Sequence, residues 1–322
     1  MTNIPKICLD SIPSETTKGN RMKPDHPKIS VLTPSLNTGR YLRDTIESVL
    51  AQNFKDYEFI VVDGGSTDES IEILKEYPQV RWISEKETDK DTVLEAYRKA
   101  FAMSRGDYIV QCCVSDGFLT KRWFQLCVDT FEKDEEISIV WGLPQYMTEH
   151  GDLGRITNPE FLLKAPPQKR DFLAYWLAIG YGFPEGNFIT RRKVFDECLP
   201  ERNAAGIFSE SPHIAFLYHF NMRGYLPYFL PVIANFGRLH PNQRVERLND
   251  ILDRDGKLYI KMMKEYRQQL LRGEIKHYFR NGCGEIIGEI KKEDLGRLRR
   301  DILRHYAKYK IGKRLRETFE SL

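Results

Sequence analysis

Residues 28–68 read KISVLTPSLNTGRYLRDTIESVLAQNFKDYEFIVVDGGSTD, and this stretch decides the fold. Two short apolar runs, Ile29 to Thr33 and Tyr57 to Val62, are closed by turn-forming residues. Between them Tyr41, Leu42, Ile46, Val49 and Leu50 recur on one face of a helical period. Strand, helix and second strand make a parallel βαβ unit, because a parallel pair needs a crossover of about a dozen residues or more. Each strand stops at polar residues, Thr33-Pro34-Ser35-Leu36-Asn37 after the first and Asp63-Gly64-Gly65-Ser66 after the second. Ligands of open parallel sheets bind at the carboxyl ends of the strands, so these polar tips are the candidate site.

Downstream the alternation repeats. Ser66-Thr67-Asp68-Glu69 has the Ser-x-x-Glu form of a capping box and predicts a helix running to about Tyr77. Val80 to Ser84 reads as a third strand, and a polar stretch from Glu85 to Asp91 leads into a helix through Leu94, Tyr97, Ala100, Phe101 and Met103 that ends near Gly106. Asp107 to Val114 is a strand that stops at Ser115-Asp116-Gly117. A helix over Arg122 to Glu132 and a strand over Ile137 to Leu143 complete an α/β domain with a mostly parallel sheet flanked by helices. From Gly151 to Gly182 the pattern weakens, with a short helix over Phe172 to Ile179. Then come a strand at Asn187 to Thr190, a helix around Ile214 to Met222, a strand at Tyr228 to Leu230, and Asn235 to His240.

These limits give three regions: an aperiodic tail over 1–27, the α/β domain over 28–241, and a charged helical extension over 242–322. The chain of 322 residues is long enough for one substantial core with an appendage. Lys and Arg total 49 against 46 Asp and Glu, a balance that gives no reason to expect nucleic acid as a partner. There is no apolar run of membrane-spanning length and no apolar signal core, so a cytoplasmic protein is expected. The six cysteines show no paired zinc-ligand spacing, and Cys112 and Cys113 read as small buried hydrophobes in a strand. The segment from Lys291 onward is rich in Arg and Lys. That pattern fits a solvated helix face, or contact with anionic headgroups at the inner face of the plasma membrane.

Taken in order, VLTPSLN, the helix ending in ESVLAQ, EFIVVDGGSTD, the acidic loop, RGDYIV and SDG resemble the N-terminal half of the family 2 inverting glycosyltransferases with the GT-A fold. The resemblance spans about Lys28 to Trp123, and Phe183 to Pro241 more loosely. It implies a nucleoside diphosphate sugar donor, with a UDP-sugar favoured, and a glycan or lipid-linked acceptor. Asp63 matches the carboxylate that takes the base, with Thr33, Pro34 and Ser35 beside the nucleoside; a turn-forming role for Asp63 is the alternative. Leu36 stands where relatives often carry an aromatic residue. Asp89 and Lys90 match a nucleoside-facing pair, although Asp91 replaces a usual Gly and Arg98 a usual Asn.

Ser115 and Asp116 stand at the family's acidic motif, reduced here to one carboxylate. The resemblance implies Mn²⁺ or Mg²⁺ on Asp116, with His240 as a further ligand or diphosphate contact; a hard cation there would neutralise the leaving diphosphate. The general base is expected at the start of the helix before Gly224-Tyr225. Glu210 ranks first as the carboxylate at that point, and His213 second because it lies nearer the family position. A sugar-nucleotide-binding relative with weak or absent turnover, acting as a subunit or regulator, remains the alternative.

Overall fold

The computed structural model describes residues 26–86, 92–180, 182–183, 186–199, 212–241 and 249–320. Its first half follows the expected alternation: β1 (Ile29–Ser35), α1 (Gly39–Leu50), β2 (Tyr57–Asp63), α2 (Ser70–Lys75), β3 (Val80–Ser84), α3 (Thr92–Met103) and β4 (Tyr108–Gln111). β1 pairs in parallel with β2 and β4, and β2 with β3. Both faces of these strands are covered. Ile29, Val31, Phe59 and Val61 pack with Leu42, Ile46 and Val49 of α1, while Leu32, Ile60 and Val62 pack on the other side with Tyr97 and Ala100 of α3. Double burial explains why the strands read as continuous apolar runs. Register sets Ser35 beside Asp63 and Asp63 beside Ser84, so three polar tips stand level.

The capping box expected at Ser66 to Glu69 does not form. Ser66 is taken by Asp63, to which its N–H and hydroxyl both donate. Asp68 does the capping instead: its carboxylate accepts from Gly39 N at 2.9 Å, at the start of α1, and from Ser70 N at 3.0 Å, at the start of α2. Burial opposes the charge on Asp68, yet the hydrogen bonds from Ser70 and Gly39 hold its pKa below the ordinary carboxylate value. One side chain thus fixes two helices behind the strand tips.

The second half adds β5 (Gly117–Phe118), α4 (Trp123–Lys133), β6 (Ile137–Met147), β7 (Leu153–Ile156), α5 (Phe172–Ile179), β8 (Phe188–Arg191), α6 (Arg192–Cys198), α7 (Pro212–Arg223) and β9 (Leu226–Arg238). The sheet order is β3-β2-β1-β4-β8-β6-β9-β5, with β7 on β6. β8 runs antiparallel between β4 and β6, which brings its amino end to the edge where the parallel strands end. β9 is one long strand where the expected strand covers only Tyr228 to Leu230. Trp141 faces Phe229 but Leu143 faces Ile233, so Leu230 to Val232 form a bulge around Pro231, which has no N–H to offer a ladder.

The C-terminal region comprises α8 (Asn249–Arg272), a hairpin of β10 (Tyr278–Arg280) and β11 (Ile286–Glu289), and α9 (Leu295–Glu320). It shares the main core: Tyr259, Met263, Tyr266 and Leu270 of α8 cluster with Trp176 and Phe216, and Trp176 Nε1 donates to Tyr259 Oη at 2.6 Å. The hairpin docks on the end of α7. There Gly224 has φ +74°, its carbonyl accepts from Arg280 N at 2.9 Å, and a Cβ would overlap the carbonyl oxygen of Tyr278. His277 is buried beside it with Nδ1 2.7 Å from Tyr266 Oη, and burial lowers its pKa to about 4. No helix among the described residues is long and apolar enough to cross a membrane.

Candidate functional site

Asp63 closes β2, fully buried. Its Oδ2 accepts from Gly65 N at 3.0 Å, Ser66 N at 2.8 Å and Ser84 Oγ at 2.7 Å, and its Oδ1 accepts from Ser66 Oγ at 2.5 Å. Four donors make Asp63 the organiser of the rim turn, with Gly65 at φ +85° completing it. Ser35 is held by a 2.9 Å hydroxyl contact with Thr38, Pro34 is half-buried, and Thr33 is fully buried with Oγ1 lacking a partner. Leu36 stands out on the rim at 46% exposure, an apolar surface where relatives often carry an aromatic residue. Asp89, Lys90 and Glu210 lie outside the described residues.

Past β4 the chain turns at Ser115, whose φ of +84° is a left-handed conformation that non-glycine residues rarely take. Thr45, fully buried on α1, pins this turn from behind: its Oγ1 accepts from Ser115 N at 3.2 Å and donates to Asp116 O at 2.7 Å. The Asp116 carboxylate accepts from Arg238 N at 3.2 Å, which ties it to the end of β9. A Cβ at Gly117 would stand 2.5 Å from Ser48 Oγ and 2.6 Å from the Phe236 ring, so a side chain directly after Asp116 would crowd both.

Two glycines stand beside the Asp116 carboxylate. A Cβ at Gly186 would lie 3.5 Å from its Oδ2, and one at Gly237 3.9 Å from its Oδ1. Asn187 and Asn235 lie close to these glycines in the chain, both fully or almost fully buried, and the Oδ1 of each lacks a partner. The Asn187 amide nitrogen is spent on Gly142 O at 2.7 Å. The amide nitrogen of Asn235 lies 3.7 Å from where a Gly186 Cβ would be. Buried polar atoms without partners are rare and mark places where another molecule can supply them.

His240 follows β9, its ring 4.6 Å from that of Tyr41 on α1. Arg238, buried two residues earlier, lies over the Tyr41 ring at 5.1 Å and pairs with Asp44 at 2.5 Å. Asp116 and the segment bearing His240 are therefore brought to one rim. Among the described residues no group of three or more His, Cys, Asp or Glu side chains forms a cage for a metal ion. A single carboxylate still fits a Mg²⁺-like or Mn²⁺-like ion, which is commonly held by one or two carboxylates together with substrate phosphates.

His213 begins α7 at the same edge. Its ring lies over Phe188, the first residue of β8, with centroids 5.9 Å apart, and its Nε2 is 2.9 Å from Phe183 O. A carbonyl can only accept, so Nε2 carries a proton, and Nδ1 is buried without a partner.

A model described as glycosyl transferase family 2 matches residues 30–199, just over half of the chain. The chain belongs to glycosyl transferase family 2. The matched segment holds every tip described above except β9 and α7. This family 2 domain is 34% identical over 131 residues to an Escherichia coli chondroitin synthase, a match that covers 39% of the chain and 18% of that protein. It is 28% identical over 166 residues to a Pasteurella multocida hyaluronan synthase, covering 49% of the chain and 16% of that protein. The chain thus spans less than a fifth of the length of these two curated relatives. An uncharacterized glycosyltransferase of Methanocaldococcus jannaschii is 30% identical over 179 residues, 54% of the chain and 61% of that protein. Among solved structures, Staphylococcus aureus TarS 1-349 matches with a TM-score of 0.53 at 13% identity, covering 87% of the chain and 71% of that one. Its complex with UDP-GlcNAc matches at 0.52 and 16% identity, covering 68% of the chain and 60% of that one. At such identities the structural likeness bears on the fold, which is the GT-A fold expected from the sequence.

Tyr41, Thr45, Asn187, Asn235 and Arg238 were not anticipated as parts of the site. Tyr41 and Thr45 lie on the buried face of an amphipathic helix, Asn187 just before a strand, and Asn235 and Arg238 within one, and periodicity carries no signal for one such position.

Proposed function

We propose that this family 2 domain transfers a sugar from a nucleoside diphosphate to a hydroxyl of a glycan or lipid-linked acceptor, with inversion at the anomeric carbon. The observation that carries this reading is the entry to β8. Gly186 brings the chain beside Asp116, where a Cβ would lie 3.5 Å from its Oδ2, while Phe188, two residues on, packs under the His213 ring. A carboxylate suited to the diphosphate end and an imidazole suited to the acceptor hydroxyl flank one short segment.

In this reading the base takes its place beside Thr33, Pro34, Ser35 and the Asp63 turn, with Leu36 in apolar contact. Because Asp63 is buried, the base reaches Oδ1, the oxygen held by Ser66 Oγ alone, as the rim opens. Asp89 and Lys90 add the nucleoside-facing pair. Asp116, Ser115 and His240 face the diphosphate, and Asp116 and His240 would hold Mn²⁺ or Mg²⁺; when bound, such an ion neutralises the charge that grows on the leaving group. His213 Nδ1 takes the acceptor proton, its tautomer set by Phe183 O; Glu210 is the carboxylate alternative for that step. A UDP-sugar is the favoured donor, in line with the TarS complex with UDP-GlcNAc, and the likeness to chondroitin and hyaluronan synthases motivates a glycan acceptor.

A thermal-shift panel of UDP-, GDP-, dTDP- and CMP-sugars with and without Mn²⁺ tests donor class and metal dependence together. Stabilisation by one base class, enhanced by Mn²⁺, is expected; no shift with any of them would remove the reading. The single carboxylate in Ser115-Asp116-Gly117 favours one alternative, a nucleotide-sugar-binding subunit or regulator. It predicts the same shift with no turnover of any donor.

A further inference from the structure

α9 carries two apolar stripes, and the core uses one. Leu298 and Ile302 are buried where the helix packs on α5, and His305 lies edge-on to Tyr175 at 5.5 Å. One residue further round, Leu303 and Ile311 are each 61% exposed, with exposed Ala307 between them at the i+4 spacing that keeps all three on one face. Tyr306 and Tyr309 beside this stripe are each 42% exposed, and Lys310 lies over the Tyr306 ring at 5.1 Å.

The charge around the stripe is one-sided. Residues 291–322 hold eleven Lys and Arg against five Asp and Glu, whereas the rest of the chain holds 38 against 41. Arg299, Arg300, Arg304, Lys308 and Lys310 are all exposed. Of the acids on this helix, Asp301 is committed to Arg297 at 3.8 Å and Arg304 at 3.0 Å. Three classes of occupant can be weighed on this pattern. A second copy of the chain would set guanidinium against guanidinium. A soluble polyanion would gain nothing from Leu303 and Ile311. An anionic lipid surface uses both features, because apolar side chains enter the boundary between headgroup and acyl chain while cations stay with the phosphates.

We propose that the outward face of α9 rests on an anionic membrane surface, with Leu303 and Ile311 inserted and the flanking Arg and Lys on headgroup phosphates. The chain is then a peripheral protein whose attachment is separate from its donor site. The proposal does not rest on the transfer reading, since binding to lipid is measured with no donor present, and the two fail separately.

The test is cosedimentation of the full chain with vesicles of phosphatidylcholine alone or with about one third phosphatidylglycerol, at low and high salt. Partitioning about ten-fold stronger or more on the anionic vesicles, and reduced by salt, is expected. Leu303→Ser with Ile311→Ser, and separately Arg299→Gln with Arg300→Gln, should each cut it about ten-fold or more. Circular dichroism and nucleotide-sugar binding should stay unchanged. Equal partitioning on neutral and anionic vesicles, or none, overturns the proposal, and that measurement needs no variant. If the apolar pair of substitutions leaves vesicle binding intact, the face is a polyanion site and the proposal fails. If it abolishes a self-association seen without vesicles, the occupant is a second copy and the proposal fails equally.

Discussion

The two ends of the site rim are built on opposite principles. Around β1 and β2 the polar groups are spent: Asp63 takes four donors, Asp68 takes two backbone N–H groups from two helices, and Thr45 both donates to and accepts from the Asp116 turn. Around β8 and α7 they are unspent. Asn187 Oδ1, Asn235 Oδ1 and His213 Nδ1 are buried without a partner; on the first side Thr33 Oγ1 and, on the neighbouring β4, Gln111 Oε1 share that state. A satisfied shell holds its shape before any ligand arrives, whereas an unsatisfied one waits for atoms from outside. The difference separates the part of the rim that is scaffold from the part that meets reacting groups.

Asp116 joins the two sides, and its loss should have the largest effect. Asp116→Ala is expected to lower turnover about a thousand-fold or more, about 4 kcal/mol of transition-state stabilisation, with the melting temperature close to that of the parent. An active Asp116→Ala protein would place the leaving group elsewhere. On the spent side the penalty should fall on folding: Asp63→Ala strands Gly65 N, Ser66 N and Ser84 Oγ, and urea unfolding should show a loss of about 3 kcal/mol. A loss below about 1 kcal/mol, with donor binding destroyed, would mean that Asp63 is a contact and not a brace.

His277 tests the same rule far from the rim. Its folded pKa of about 4 lies below the ordinary value of 6.5, so its contribution is fully present above pH 6.5 and is lost as pH falls toward 4. Stability measured by denaturant across that window should drop by about 3 kcal/mol from this group, and His277→Gln should flatten the profile. On the unspent side the effects should be smaller and kinetic. His213→Ala is expected to cost about a hundred-fold in turnover at unchanged donor affinity, and its pH–rate profile should lose the limb assigned to the base. A full effect from Glu210→Ala with none from His213→Ala would move the role to the carboxylate. Asn235→Leu should change stability by less than about 1 kcal/mol while raising the donor KM about ten-fold, because the atom removed has no partner to lose.

Much of the spent side was legible in the sequence. β1, α1, β2 and β3 appear within a residue or two of their expected limits, because each is a short periodic run closed by turn residues and both sheet faces are covered. The Ser66 reading failed for a local reason: a nearer carboxylate, Asp63, outcompetes a helix terminus for that hydroxyl and N–H. The unspent side depends on strand order, which no periodicity encodes. Placing β8 antiparallel between β4 and β6 is what carries Gly186 to Asp116, and the bulge around Pro231 is where the expected strand at Tyr228 to Leu230 stopped short of the full β9. Asn235 sits inside that long strand, where a lone amide reads as an ordinary strand residue.

Gly224 gives the C-terminal region a reach that its position in the chain hides. The hairpin strand Tyr278–Arg280 grips the last turn of α7 so closely that no side chain is tolerated at Gly224, while His213 sits at the other end of the same helix. α7 is in effect a beam held at both ends, at its root by residues from the last fifth of the chain and at the tip that carries the imidazole by the Phe183 carbonyl and the Phe188 ring. Shortening the protein at residue 241 would release the root and also strip Tyr259, Met263, Tyr266 and Leu270 from the core that α7 shares.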